Sequence, residues 1–191
     1  MQTQNNKPAG RGTESPREVA ARHIEMRTIE KNDETLIIQG ELRDDRFMDF
    51  TGFEGNRIPA GRFHTIRARL TVALSTMRIE DIDVEFQDVP HHECRELRET
   101  YRQLIGLSIA SGFTRAILQR VGGTKGCAHL THLIITMGPA FVQAAFTYQT
   151  RAEAPTPPTA EQVQKYFVDT CSVWRAEGKY ARMYGTEKTG S

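Results

Sequence analysis

The segment FHTIRARLTVALS, from Phe63 to Ser75, alternates without a break. His64, Ile66, Ala68, Leu70, Val72 and Leu74 share one side, and Thr65, Arg67, Arg69 and Thr71 share the other. A period of two marks a strand with one buried and one solvated face. RIEDIDVEFQ repeats the pattern, with Ile82, Val84 and Phe86 against Asp81, Asp83 and Glu85. Upstream, ETLIIQGEL (Glu34 to Leu42) follows HIEMRTIE (His23 to Glu30) across a hairpin turn at Lys31-Asn32-Asp33. Successive strands with one wet face predict an antiparallel meander. Arg67 and Arg69 face Asp81, Asp83 and Glu85 if the strands pair. The basic stretch is therefore expected to form cross-strand ion pairs, not a nucleic-acid surface.

The period then changes. In CRELRETYRQLIGL (Cys94 to Leu107), Leu97, Tyr101, Leu104 and Ile105 are spaced for a helix. FTRAILQRV (Phe113 to Val121) predicts a second helix, stopped by Gly122-Gly123. The longest helix is predicted to start near Cys127, with a buried stripe of Leu130, Leu133, Ile134, Met137, Phe141 and Ala144; Pro139 is expected to kink or split it. Strands first and helices second predict an α+β fold, an antiparallel meander sheet with helices packed on one face. Residues 1–20, polar and rich in Gly, Pro and Asn, are expected to be a disordered leader before a main domain over 22–150. A Pro-rich linker over 151–160 precedes a tail over 161–185. There Phe167 to Val173 alternates like a strand, and Tyr166, Phe167, Trp174, Tyr180 and Tyr184 are expected to pack the tail back onto the domain.

Length allows one domain with a sizeable core. A net charge of +1 gives no general attraction for nucleic acid or membrane. No apolar run approaches the roughly 20 residues of a membrane span, and the first residues lack the apolar core of a secretory signal. A cytoplasmic protein is expected. Three cysteines do not make a disulfide framework, so each is either core filling or chemistry.

Two of the cysteines occur where a helix begins, each with histidines beside it: PHHEC (Pro90 to Cys94) and GGTKGCAHLTHL (Gly122 to Leu133). The unpaired N–H groups and positive dipole end of a helix start favour a thiolate, which predicts a lowered pKa for Cys127. His129 flanks the apolar stripe, whereas His132 turns further towards solvent, and the His91-His92 pair reads as a solvated loop. Thiolate and imidazole ligands converging from separate loops suit zinc or iron–sulfur chemistry. Cys94, Cys127 and His129 are the first candidates as metal ligands, with Cys171 and His64 next. If metal is absent, Cys127 becomes a candidate nucleophile and His129 its base, oriented by Asp81, Asp83 or Asp169.

The pattern Pro90-x-x-x-Cys94, Tyr101 to Leu107, Gly122-Gly-Thr-x-Gly-Cys-x-His-Leu-Thr131 and Asp169-Thr-Cys171 resembles a bacterial domain family of unknown function over residues 22–184. His64 heading its strand and Gly40-Glu41-Leu42 fit the same pattern. More distantly, the order of a meander, Cys94 at a strand end, helices, then Cys127 and His129 opening a long helix resembles the U-type iron–sulfur cluster scaffold proteins. That resemblance implies a cluster or zinc held by three cysteines and a further Asp or His. This chain lacks the second scaffold cysteine near Gly106, so Cys171 or a histidine would replace it. The expectation is a metal- or iron–sulfur-binding protein acting in cluster handling or metal-dependent chemistry, with a partner enzyme or small-molecule substrate. A metal-independent thiol enzyme and a non-catalytic binding protein remain the alternatives.

Overall fold

The computed structural model describes residues 16–151 and 157–185. Residues 1–15 of the expected leader, and 152–156 of the expected linker, lie outside them. Strands β1 (Ala20–Asn32), β2 (Thr35–Arg46), β5 (Gly61–Ala73) and β6 (Arg78–Asp88) form one antiparallel sheet in the order β1-β2-β5-β6. Between β2 and β5, β3 (Phe50–Thr51) and β4 (Arg57–Ile58) form a separate two-stranded ribbon. The chain then runs through a long 3₁₀ helix (His92–Leu104), α1 (Phe113–Val121), α2 (Ala128–Gln149), α3 (Ala160–Tyr166) and α4 (Lys179–Met183). This is the α+β layout that the change of period predicts.

The expected inner face of β5 is buried, at His64, Ile66, Ala68, Leu70 and Val72, and continues to Leu74; on the other side Arg67 and Arg69 are exposed, but Thr65 and Thr71 are buried as well. Ile82, Val84 and Phe86 extend the same face, and α2 covers it with Leu130, Leu133, Ile134, Met137 and Phe141. The stripe ends on Ala145, one residue beyond the expected Ala144. On the solvated face Arg67 bridges Glu41 and Glu85, the latter at 3.2 Å, as cross-strand pairing requires. Gly40 lets the layers meet. A Cβ there would stand 2.9 Å from Met137 Sδ and 3.1 Å from Leu133 Cδ1. Gly40→Val is expected to cost about 1–3 kcal/mol by overpacking, read as a lowered urea midpoint with the fold retained.

Two expectations are corrected. First, α2 runs unbroken through Pro139, so the proline does not split it. Gly138 next to it receives the ring of Phe113, where a Cβ would meet Phe113 Cδ1 at 2.9 Å, so packing against α1 holds the helix together. Second, the tail is helical and turned, not a strand. A capping box between Thr159 and Gln162 starts α3, and Asp169 takes a left-handed backbone (φ 61°) that ends any extended run. The aromatic expectation holds: Tyr166 and Phe167 pack on Phe146 of α2, and Trp174 stacks on Phe167. By length and composition alone, α2 is, among the described residues, the one helix long and apolar enough to cross a membrane. In this fold its stripe is spent on the sheet.

Candidate metal centre

The site forms at the end of the sheet where β1 and β5 begin and β2 and β6 end. Register sets Arg22 of β1 opposite Asp44 of β2, and Asp44 opposite His64 of β5. All three side chains take the helix-covered face, in line with Leu42 and Ile66. The β2–β5 register shifts just after the Asp44–His64 pair, and the β5–β6 register shifts between Thr65 and Ile66. Bulges of this kind bend a strand and re-aim side chains.

Arg22 donates to both carboxylate oxygens of Asp44, from Nε to Oδ1 at 2.7 Å and from Nη2 to Oδ2 at 2.8 Å. His64, 7% exposed, donates from Nδ1 to Asp44 Oδ2 at 3.0 Å. His129, on the first turn of α2, sets its ring against His64 with centroids 4.1 Å apart and places Nε2 3.8 Å from Asp44 Oδ2. One ligand atom from each of Asp44, His64 and His129 lies within 4.8 Å of the others. Phe63 meets His64 edge-on at 4.8 Å, and Arg46 lies over the Phe63 ring at 4.1 Å, walling one side.

Burial would raise the Asp44 carboxyl, but the bonds and charge of Arg22, helped by His64, outweigh it and hold Asp44 below the ordinary carboxylate value. Desolvation lowers His64, although Asp44 opposes it. Desolvation also lowers His129, with His64 and Arg22 adding to the effect. Both imidazoles are therefore neutral at pH 7 and keep a lone pair for a metal.

These shifts carry a sign. As pH falls below the ordinary histidine value of 6.5, the unfolded chain takes up protons that folded His64 and His129 resist. Stability then declines. A second loss follows below 3.8, where unfolded Asp44 protonates before the folded carboxylate. Urea midpoints measured from pH 7.5 to pH 3 are expected to fall in these two stages. His64→Gln should flatten the first.

Cys127 is the N-cap of α2. Its Sγ lies 3.8 Å from His129 Nδ1, the ring nitrogen opposite the one facing Asp44. The expected low pKa is corrected. Burial pushes the thiol up, and the N–H groups of Leu130 and His129 lower it by less. The nearby Cys94 raises it further. Tyr101 holds the loop: its hydroxyl accepts from the Cys127 N–H and donates to the Cys127 carbonyl, both at 2.9 Å. Gly126 is needed beside it, since a Cβ there would stand 2.5 Å from Val121 O.

The fold thus brings His64, His129 and Cys127 together, with Cys94 half-buried near Cys127. It does not bring Cys171. That cysteine is exposed, beside the tail aromatics that pack on Phe146. Helix rise alone puts Phe146 roughly 28 Å along α2 from Cys127. His91, His92 and His132 are exposed, as expected. Asp44 is not among the residues expected from sequence at the site, although its parity with Leu36, Ile38 and Leu42 places it on the buried face.

Residues 20–143 match the model of a family described as "Protein of unknown function (DUF2889)", and the chain belongs to that family. The match contains Arg22, Asp44, His64, Cys94, Cys127 and His129 and stops short of Cys171. No curated protein matches the chain, and no solved structure does.

Proposed function

We propose that this family member binds one divalent metal ion, zinc or iron, through Asp44, His64 and His129. The observation that carries the reading is the convergence of one carboxylate and two neutral imidazoles from β2, β5 and α2 at one partly buried point. Two imidazoles and a carboxylate suit a catalytic zinc or a non-haem iron, and three protein ligands leave a position for water or substrate. Bound metal would acidify that water and supply a nucleophile or Lewis acid near neutral pH. Arg22 stays on Asp44 and orients it. Cys127 orients His129 through the ring nitrogen turned away from the metal. The chemistry is that of a metal-dependent protein in a reducing, cytoplasmic setting, acting on a small molecule or serving a partner enzyme.

An iron–sulfur cluster, which the likeness to U-type scaffolds implies, is the second reading. The nearness of Cys94 to Cys127 favours it, and the remoteness of Cys171 weighs against a third thiolate. A metal-free thiol enzyme is less well supported, because burial keeps the Cys127 thiol protonated at neutral pH. The test is to purify the protein without oxygen and measure zinc, iron and labile sulfide. About one metal per chain without sulfide is expected. Sulfide in proportion to iron would favour the cluster, and metal-free protein that takes up neither zinc nor ferrous iron would contradict both metal readings.

A further inference from the structure

The two edges of the sheet are treated differently. The outer edge of β6 is closed by its neighbours. Ile79 N–H donates to Leu107 O at 2.9 Å and Gly106 N–H donates to Ile79 O at 2.8 Å, while Arg95 donates to the carbonyls of Phe86 and Gln87. The outer edge of β1 has no such cover. Among the described residues, none of its outward backbone groups is bonded to another segment over thirteen residues. No proline interrupts it, and Ile24 and Ile29 are 43% and 44% exposed. A long edge of this kind is a template for another strand.

The sequence of β1 is complementary to itself. Pairing two copies antiparallel about Met26 sets Glu25 opposite Arg27, twice by symmetry. The twofold axis then lies normal to the sheet, so paired residues keep their faces. Glu25 and Arg27 lie on the solvated face. Arg22, Met26 and Glu30 lie on the helix face, where Arg22 is held by Asp44 and Glu30 accepts from Tyr148. Centring the pair one residue to either side brings Glu25, or Arg27, against its own copy, which is repulsive. Within one chain Glu25 already accepts from Arg27 Nε at 2.8 Å and Glu41 pairs with Arg67, so Arg27 of the second copy would add a second cation beside Glu25 and make the charges alternate across the axis. The helix layers also fit. α2 sits over Gly40 of β2, and the two β2 strands would be about 14 Å apart at three strand spacings, beyond the 8–10 Å of packed helices.

The geometry points to a second copy of this chain as the occupant of the β1 edge, giving a twofold dimer with one continuous eight-stranded sheet centred on Met26. It is independent of the metal reading. Sedimentation of the full chain over a range of concentrations is the test, with Glu25→Arg, Arg27→Glu and their equimolar mixture. The expected result is a concentration-dependent dimer of the 21.6 kDa chain. Each single reversal should leave monomers, because both put like charges at the paired positions, and mixing the two variants should restore a dimer. All these side chains are exposed, so circular dichroism should be unchanged. Monomers of wild type at every concentration would overturn the proposal. So would a dimer indifferent to both reversals, or reversals that mixing does not rescue. A monomer whose β1 amides still exchange slowly would assign the edge to another segment of the chain, and would overturn it too.

Discussion

His64→Ala and His129→Ala are each expected to weaken metal binding by about a hundredfold or more, roughly 3 kcal/mol. Each removes one of the three proposed ligands, and a site reduced to two would lose the geometry that selects zinc or iron. Asp44→Asn should do the same, and it also leaves Arg22 without its charge partner. The cysteines discriminate between readings. Cys127 faces the far ring nitrogen of His129, so Cys127→Ser should cost only about tenfold, the effect of a residue that orients a ligand. Cys171→Ser should cost nothing. Competition with a chromophoric chelator measures all five variants on one scale. If Cys127→Ser abolished binding while His64→Ala left it intact, the ligand set would be thiolate-based and the present assignment wrong.

The second large effect is expected from the support beneath Cys127. Tyr101 is fully buried, and its hydroxyl ties both backbone polar groups of Cys127 and stands 3.0 Å from Thr131 Oγ1, which itself donates to Val121 O at 3.1 Å. Burial pushes the Tyr101 phenol up to about 12, so it remains a donor at every ordinary pH. Tyr101→Phe leaves a half-buried N–H without its partner and should cost about 1–3 kcal/mol. Gly126→Ala drives a Cβ against Val121 O, a backbone atom that cannot step aside, and against Tyr101 Oη at 2.9 Å. It should cost about as much. Because both changes dislodge the same loop, the double variant should lose less than the sum. Each should also weaken metal binding, although neither residue is a ligand. Wild-type stability and affinity in both would show that the start of α2 is positioned by something else.

Much of this fold is legible in the period of the sequence. The alternation from His64 to Leu74 and from Ile82 to Phe86 specifies a half-buried sheet, and the stripe from Leu130 to Phe141 specifies the helix that covers it. His64 and His129 follow from the same reasoning, since each lies on an apolar face. Asp44 was within reach of parity, but its meaning depends on the strand register that sets it between Arg22 and His64. That register is a long-range property. The pKa of Cys127 failed for a related reason: a helix start is visible in sequence, but the desolvation that outweighs its dipole depends on what packs around it. Cys171 was misplaced because a short alternating run was read as a strand, whereas Asp169 turns the chain and Phe167 and Trp174 anchor it at the other end of α2. The open edge of β1 was equally invisible, because only the strand order shows which strand ends the sheet.

The most direct measurement is X-ray absorption at the metal edge of zinc-loaded protein. Ligation by Asp44, His64 and His129 predicts a first shell of nitrogen and oxygen alone, at about 2.0–2.1 Å, with imidazole scattering beyond it and no sulfur. A sulfur shell near 2.3 Å, lost in Cys127→Ser, would contradict the Asp44, His64 and His129 ligand set and return the site to its thiols.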